Sequence, residues 1–598
     1  MKGGMPDAHS PAAHEQAVAS LAEAIAVAWP SATKVDSVWL RERFPLRKLV
    51  SGWILPPALT GLQEDLVVGV DAQYPHSLPR FGLVRKPASC EMPHVEFDGI
   101  FCLVAGINSP AVPLAFGHLD HMLDKAVKLY ASGSSGENRD DFLDEFVTYW
   151  TLGSEKFYEV EAWLKSTNET APIWFQKSRR TLFVANSKDD VEFLLRQRSI
   201  AVDKEKLTKG LLVHLDGPLY PTGYPKNSRE LLDLLRRVAP EQLDFVHKAL
   251  GRSWQLLAVL AFEWKGETMM GACLVELNRS FPHPRGHGQQ LVSGMRKRRF
   301  SSTLLYRRIS DASFPVHRAG VTRIDSDFLL SRTTGARPRE LDNATVAVFG
   351  CGALGASIAM QLAQAGVRRL VLADGEFLTM QNIGRHVLGT KYVGMNKAAA
   401  VKDELLSRFV DLDVEALQAN WDKAELGDTF WSRVDIIVSA TGDWLTDVKL
   451  NGMIAADRAP PTVFTWVERF ALAGHSIYVV SGSGCLRCVT NATGDYAGQV
   501  SKLGGALPRE PGCGAFYQPY SACDASVTVA MATRLTLEAL GGMHDRSVRK
   551  TWVGAKTGFV STGAGIMPEW HELLSEQDGF ERTYTASLQV EDVCVDCQ

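Results

Sequence analysis

The 598-residue sequence has no strong excess of charge of one sign, no internal repeat and no low-complexity tract longer than a loop. Its 64 basic and 68 acidic side chains give a formal net charge of −4, so the composition does not favour a polyanion partner, and we expect no nucleic-acid binding. The first 16 residues lack the basic start and apolar run of a secretory signal. We therefore expect a cytoplasmic protein.

Long hydrophobic runs are also scarce. One stretch, Val346 to Val367, is nearly uncharged and long enough to suggest a membrane helix. Its glycines and glutamines fit a strand, a turn and a helix better, so we expect no membrane span. Ten cysteines without an export signal favour a reducing compartment, where metal ligands and nucleophiles are commoner than disulfides.

The chain is too long for one hydrophobic core, and three domains are predicted at residues 1–160, 161–325 and 326–598. Short β-type runs between 50 and 105 predict an antiparallel sheet. Helices are predicted over residues 17–29, 115–131 and 142–152. The middle domain mixes strand-like and helical runs and carries no motif. After about residue 325, strand–turn–helix alternation predicts a parallel α/β sheet.

A glycine-rich turn stands in the sequence context of a Rossmann dinucleotide fold. A buried strand over 344–349 precedes Gly350, Gly352 and Gly355, a helix follows, and the next strand ends at Asp374. The glycines let backbone N–H groups approach a phosphate, and the acid can bind a ribose hydroxyl. Alone, the pattern fits a nicotinamide oxidoreductase as well as an ATP user, or a turn with no nucleotide.

The segment after Asp374, DGEFLTMQNIGRHVLGTKYVGMNKAAAV, resembles the adenylation domain of the ThiF/MoeB and ubiquitin-activating superfamily. The resemblance implies that the substrate is ATP and that the domain forms a homodimer. Carboxylate attack on an α-phosphate needs fixed cations, for which a dehydrogenase has no use. The resemblance further implies that Asn382, Arg385 and Lys397 contact the triphosphate and that Asp443 binds Mg²⁺. It also implies that Arg332 reaches the nucleotide of the neighbouring subunit, with Arg337 as a nearby alternative.

Two C-x-x-C pairs lie about a hundred residues apart. Each pair can present two thiolates to one tetrahedral metal, and two pairs complete a closed structural Zn²⁺ site. A redox motif and coincidence are the alternatives. The ThiF-type resemblance implies the same zinc arrangement. The four predicted ligands are Cys485, Cys488, Cys594 and Cys597.

Two further cysteines lie between the zinc pairs. Cys513 stands in a Gly/Pro-rich segment, eleven residues before Asp524, and this spacing resembles that of the acyl-accepting loop cysteine in related bacterial enzymes. Cys523 begins an apolar helix, where a buried structural thiol is expected. We predict Cys513 as the nucleophile and keep Cys523 as the second candidate. Cys90, Cys273 and Cys351 are interpreted as structural.

An N-terminal cysteine has a different resemblance. The segment MPHVEFDGIFCL, which ends at Leu103, resembles the active-site segment of ubiquitin-conjugating (E2-like) enzymes, with Cys102 ten residues after Met92. His94 occupies the position of the family's oxyanion-stabilising asparagine. An imidazole can donate one hydrogen bond, so the sequence leaves its role open.

An E2-like and an E1-like domain on one chain resemble the fused enzymes of bacterial CBASS antiphage operons. That resemblance implies that the C-terminus of a cGAS-like nucleotidyltransferase is activated with ATP and conjugated to lysines of target proteins. A sulfur-carrier adenylyltransferase and a non-catalytic binding scaffold are the alternatives. The predicted fold has an N-terminal α+β E2-like (UBC) domain, an α+β middle segment and a C-terminal α/β Rossmann-like ThiF/E1 adenylation domain with a zinc site.

Overall fold

The structure is a computed structural model that divides the chain into two compact units, Met1–Thr322 and Arg323–Gln598. No helix among the described residues is long and apolar enough to cross a membrane. The described residues are 11–88, 90–103, 117–165, 167–253, 255–277, 313–331, 340–491, 494–504, 519–575, 579–591 and 594–597.

The first unit begins with a four-stranded antiparallel meander, as the alternating runs predict. Residues of the third strand, Leu66–Asp71, alternate between two cores because successive side chains point to opposite faces of a sheet. Leu66 and Val68 pack with the first helix, whereas Val67 packs with Leu40 and Phe44. The strands are β1 (Thr33–Val35), β2 (Leu49–Leu55), β3 (Leu66–Asp71) and β4 (Arg80–Leu83), and the helices are Pro11–Ala28, Ser37–Arg43 and Pro57–Thr60.

Three helices follow the described part of the Cys102 segment. Gly117–Ser135 confirms the helix predicted over 115–131. The single helix predicted over 142–152 is wrong, because the structure has two short helices, Asp141–Asp144 and Phe146–Thr151. Glu145 separates them with φ −112° and ψ 29°, outside the α-helical region. Among the β-type runs predicted between 50 and 105, the residues directly before Cys102 do not form a regular strand, since Ile100 and Phe101 form isolated bridges.

The middle segment folds into a closed seven-stranded barrel, which the sequence did not predict, and its described residues also form three helices. Leu257 and Val259 of the longest strands pack with other strand residues, whereas Leu256 and Leu260 pack with the helices. The helices are Lys188–Gln197, Ser228–Val238 and Leu243–Ser253. The strands, in the order β10-β11-β5-β7-β6-β8-β9, are β5 (Glu159–Trp163), β6 (Ala171–Ser178), β7 (Thr181–Ala185), β8 (Thr208–His214), β9 (Gln255–Trp264), β10 (Glu267–Glu276) and β11 (Val316–Arg323).

The second unit is built on an eight-stranded sheet with the order β14-β13-β12-β15-β16-β17-β19-β21. The prediction of a parallel sheet is confirmed for the first five of these strands and is wrong for the last three. The first five strands are parallel and the rest antiparallel. The strands of this sheet are β12 (Thr345–Phe349), β13 (Arg369–Ala373), β14 (Asp413–Leu417), β15 (Ile436–Ser439), β16 (Thr462–Val467), β17 (Ala473–Val479), β19 (Val548–Val553) and β21 (Arg582–Ser587). Two further strands, β18 (Ser501–Lys502) and β20 (Gly565–Ile566), pair as a separate two-stranded sheet.

Helices cover both faces of this sheet. Val346 and Val348 of β12 pack against one helical layer, and Ala347 and Phe349 pack against the other. This double burial explains the uncharged sequence of β12, because a parallel strand with both faces covered is apolar throughout. The helices are Ser326–Ser331, Glu340–Asn343, Ala353–Ala365, Lys397–Arg408, Asp428–Arg433, Trp444–Ala455, Ala522–Leu540, Lys556–Thr562 and His571–Ser575.

Candidate functional site

The glycine-rich turn connects β12 to the helix Ala353–Ala365, where the free N–H groups of a helix N-terminus can meet an anion. Packing requires two of its glycines. Gly350 has φ +83°, and a Cβ on Gly355 would lie 1.8 Å from the Gly350 carbonyl oxygen. A Cβ on Gly352 would meet nothing within 4 Å, so protein packing does not explain this glycine. Open space at Gly352 fits the close approach of a phosphate.

Asp374 directly follows β13 and is buried beside this turn. One carboxylate oxygen accepts a hydrogen bond from the Cys351 N–H, and the other accepts from the Glu376 N–H, both at 2.7 Å. Burial raises the pKa of Asp374, and these hydrogen bonds oppose that effect. The acid predicted to bind a ribose is therefore held rigidly against the turn.

His386 and Asn396, which were missed in the sequence, hydrogen-bond the backbone of this site, at Cys351 and Asp374 respectively. Leu388 N–H donates to His386 Nδ1 at 3.2 Å, so Nε2 is the donor to the Cys351 carbonyl oxygen at 2.9 Å. Burial lowers the pKa of His386. Asn396 donates from Nδ2 to the Asp374 carbonyl oxygen at 2.8 Å. A histidine next to Arg385 was the only available signal in the sequence.

The three predicted triphosphate residues have different surroundings. Asn382 Oδ1 accepts from the Thr379 N–H at 3.1 Å and closes a short 3₁₀ turn. The Arg385 guanidinium lies 5.7 Å from the centre of the Tyr520 ring. Lys397 is 7% exposed, and its Nζ lies 2.5 Å from the Glu376 carboxylate. Lys397 is thus a buried cation at the start of its helix.

Asp443 follows β15 and caps the helix Trp444–Ala455, with Oδ1 accepting from the Leu445 N–H at 3.0 Å. The carboxylate is exposed, which suits a ligand of a hydrated Mg²⁺. Asp447, one turn further on, was missed in the sequence. It is buried and accepts hydrogen bonds from Ser439 and Thr441, and burial raises its pKa to about 6.

The structure brings together the side chains of all four predicted zinc ligands. Their sulfur atoms lie within 4.8 Å of one another, including 3.5 Å for Cys485–Cys594 and 3.5 Å for Cys488–Cys597. A tetrahedral thiolate site with metal–sulfur bonds near 2.3 Å needs sulfur separations of roughly 3.8 Å, so the cluster fits such a metal. Asn451 Nδ2 lies 3.3 Å from the Cys485 sulfur.

Cys102 lies outside the regular helices and strands of the first unit and is exposed. The thiol is therefore not part of the hydrophobic core. Its N–H donates to the His94 carbonyl oxygen at 2.8 Å. Partial burial, followed by the charges on Glu145 and Glu96, raises the pKa of the thiol. Beside it lies an open groove, whose other wall is formed by residues of the helix Gly117–Ser135 and the segment after it.

His94 presents both ring nitrogens to carboxylates. Nε2 lies 3.1 Å from Asp141, and Nδ1 lies 3.5 Å from Glu145. Its backbone has φ +57°, and its N–H donates to the Tyr149 hydroxyl at 2.6 Å. The two carboxylates are 47 and 51 positions further along the chain, and nothing in the sequence connected them to Cys102.

Cys513 and Arg332 lie outside the described residues, as does Arg337. The expectation of a buried Cys523 is wrong. Cys523 is exposed because it is the second residue of the helix Ala522–Leu540, on the side away from the core. Cys273 and Cys351 are buried, and Cys90 is partly buried. Burial raises the pKa of the first two, as expected of structural thiols.

Comparisons with known proteins match both ends of the chain. The ThiF family matches residues 326–551, and Prokaryotic E2 family B matches residues 47–158. An ATP-dependent ubiquitin transferase-like protein Cap2 from Pseudomonas aeruginosa is 24% identical over 84% of this chain and 91% of its own length. A Cap2 from Vibrio cholerae is 25% identical over 78% of this chain and 84% of its own.

A crystal structure of Escherichia coli MccB covers 45% of this chain and 67% of its own, with 18% identity and a TM-score of 0.30. Each Cap2 relative covers more of the chain than either family match does. Together with the two family matches, they confirm the resemblance found in the sequence. The chain is a fused E2-like and ThiF-type E1-like enzyme that resembles the CBASS proteins and combines an adenylating with a conjugating activity.

Proposed function

We propose that the enzyme activates the C-terminus of a protein with ATP and transfers it through Cys513 and Cys102 to a lysine of a target protein. Activation forms a bond between the carboxylate and the α-phosphate of ATP and releases pyrophosphate. Cys513 then takes the acyl group and releases AMP, and a thioester exchange carries the acyl group to Cys102. The amine of the target lysine displaces Cys102 and leaves an isopeptide bond.

The observation that carries this proposal is the exposed thiol of Cys102 on the same chain as the glycine-rich turn. An adenylating enzyme that ends at an acyl-adenylate has no use for a second, E2-like cysteine. In the adenylation half, the open space at Gly352 accommodates a phosphate, and Lys397 supplies a fixed cation. Arg385 and Asn382, which belong to the same segment, would contact the triphosphate, and Mg²⁺ at Asp443 would supply further positive charge.

Three further assignments belong to this proposal. The four-cysteine cluster holds a structural Zn²⁺, whose ligand set links the C-terminal residues to the rest of the second unit. The domain acts as a homodimer in which Arg332 reaches the neighbouring nucleotide. The activated protein is a cGAS-like nucleotidyltransferase, and conjugation primes it for antiphage defence in the cytoplasm.

The test combines the pure enzyme with ATP, Mg²⁺ and a cGAS-like partner, followed by non-reducing gels and intact mass. Wild type is compared with Cys513→Ala, Cys102→Ala and, as a matched control, Cys523→Ala. The relay requires loss of all thioesters in Cys513→Ala, a stalled Cys513 thioester in Cys102→Ala, and normal transfer in Cys523→Ala. Normal transfer by Cys102→Ala would instead favour a sulfur-carrier adenylyltransferase, and absent pyrophosphate exchange in wild type would favour a binding scaffold.

A further inference from the structure

The two helices on either side of Glu145 hold the backbone of the Cys102 loop. Tyr149 accepts the hydrogen bond of the His94 N–H at 2.6 Å, and the His94 carbonyl oxygen accepts from the Cys102 N–H at 2.8 Å. His94 is therefore fixed on both sides of its peptide unit. Its carbonyl oxygen is hydrogen-bonded to the nucleophile Cys102, and its N–H is hydrogen-bonded to Tyr149 of the helix Phe146–Thr151.

The His94 ring is oriented by a carboxylate. When Nε2 carries the proton that it shares with Asp141 at 3.1 Å, Nδ1 of the neutral ring is an acceptor. Nδ1 lies 3.5 Å from Glu145, which is longer than a normal hydrogen bond. Two acceptors thus lie side by side. A cationic amine can donate a hydrogen bond to each of them. The site is open to such an amine, because the side chains of His94, Asp141 and Glu145 are 25%, 37% and 41% exposed.

The barrel anchors these helices. Asp144 accepts hydrogen bonds from Trp264 Nε1 at 2.7 Å and from Lys265 Nζ at 2.8 Å. The buried Trp150 donates from Nε1 to the Ala319 carbonyl oxygen at 3.0 Å. Rigid support of this kind sets the angle and distance that a proton acceptor needs. The middle segment therefore has a structural role at the Cys102 site.

The negative charge of Glu145 acts on the thiol of Cys102. Together with Glu96 it raises the pKa of Cys102, after the larger effect of burial. Glu96 itself is paired with Arg47, whose Nη2 lies 2.5 Å away, so its charge is partly neutralised. Among these two acids, Glu145 is the one beside the imidazole of His94.

We propose that His94 is the proton acceptor for the lysine that attacks the Cys102 thioester, with Glu145 receiving the ammonium and Asp141 acting as the positioning residue that orients the ring. This inference rests on the proposed function of Cys102. His94 then differs from the asparagine of the E2-like pattern, which donates a hydrogen bond to the oxyanion.

The proton and electron pairs balance within the site. The lysine ammonium, held by Glu145, transfers one proton to Nδ1 of His94 and becomes a neutral amine. Its lone pair forms the new C–N bond at the thioester carbonyl carbon. The C–S bond breaks, and Cys102 leaves as a thiolate. The second proton lost by the nitrogen neutralises that thiolate, and His94 releases its own proton to water.

The test uses the full-length chain carrying Cys513→Ala, with Cys102 acylated by exchange with a peptide thioester, so that it does not depend on ATP-driven loading. Discharge is followed with free lysine, whose amine is protonated at neutral pH, and with hydroxylamine, whose nitrogen is not. His94→Asn is the main variant because asparagine tolerates the left-handed backbone of His94. Asp140→Asn, which loses an acid bonded to Tyr220, is the matched control.

We expect His94→Asn to slow lysine discharge by about 100-fold and to change hydroxylamine discharge by less than about threefold, with Asp140→Asn like wild type. Glu145→Gln raises the KM for lysine. Asp141→Asn lowers kcat without changing KM, and Asp141→Glu restores part of the rate. Equal slowing with both nucleophiles, full lysine discharge in His94→Asn, or no lysine discharge by the acylated reference chain that carries only Cys513→Ala would overturn the inference. Failure of ATP-dependent loading in the wild-type chain, with normal discharge of exchange-loaded Cys102 in the Cys513→Ala chain, would overturn only the relay.

Discussion

A carboxylate oxygen of Asp374 lies 2.7 Å from the backbone nitrogen of Cys351, so the acid after β13 and the glycine-rich turn after β12 form one hydrogen-bonded unit. The two strands are parallel neighbours, which places their carboxyl ends at the same edge of the sheet. Ligands of open α/β sheets bind at this edge.

Gly352→Ala is expected to lower ATP affinity without changing the stability of the fold. A Cβ at Gly352 meets no protein atom, so we expect the free energy of unfolding to change by less than about 0.5 kcal/mol. ATP affinity falls by about tenfold or more, because the methyl group takes the space of a phosphate. Gly355→Ala is the contrast, since its Cβ would clash with Gly350 and destabilise the domain. Calorimetric titration and thermal unfolding measure both effects, and unchanged ATP affinity in Gly352→Ala would exclude phosphate binding there.

Lys397→Met removes the buried cation of the adenylation site. We expect ATP–pyrophosphate exchange to fall by about 100-fold or more, since developing phosphate charge loses a fixed partner. Stability changes little, because Glu376 is 73% exposed and remains hydrated without Lys397. Lys391→Met, an exposed lysine in the same segment, is the control and keeps normal exchange. Similar rates for the two variants would remove Lys397 from the catalytic set.

Asn451→Ala tests the metal cluster without changing a ligand. Asn451 donates to the Cys485 sulfur and accepts from the Leu486 N–H at 2.7 Å, so it orients the first C-x-x-C turn. Its loss lowers zinc affinity by about 10- to 100-fold, measured by chelator competition with a colorimetric zinc indicator. Cys523→Ser is expected to keep wild-type zinc content. A purified wild-type chain with no bound metal would contradict the assignment.

Acid sensitivity of the barrel depends on Glu276. Burial alone would raise its pKa, but hydrogen bonds from Lys177, Tyr158 and Lys156 outweigh it and lower the pKa to about 2. A depressed carboxyl pKa stabilises the fold above the unfolded value near 4.5, and this stabilisation is lost as the pH falls towards 2.

Glu276→Gln should therefore cost about 1–2 kcal/mol at pH 7 and flatten the decline of stability between about pH 4.5 and 2. Denaturant unfolding at several pH values measures this. Glu267→Gln, at an exposed position of the same strand, provides the control. The same acid-induced loss in both variants and wild type would show that Glu276 is not responsible.

Several features were predictable because their physical basis is local. The strand, glycine turn and helix around Gly350 follow from sterics within a dozen residues. Asp374, Asn382, Arg385 and Lys397 could be identified because they lie in one short segment with a recognisable order and spacing. Each C-x-x-C pair also predicts its own turn. The helix break at Glu145 was not predictable, because the apolar pattern on both sides of it is continuous.

The sequence by itself therefore determined the glycine-rich turn, the paired cysteine turns and the cysteine of the E2-like segment, since short-range geometry constrains each of them. Only the tertiary structure decided that the barrel closes, that His386 supports the Gly350 turn, and that Asp141 and Glu145 approach His94. The side-chain contacts of His386, Asp141 and Glu145 join residues that are 35, 47 and 51 positions apart in the sequence. Their formation depends on how whole elements pack, and no local pattern encodes the resulting distances.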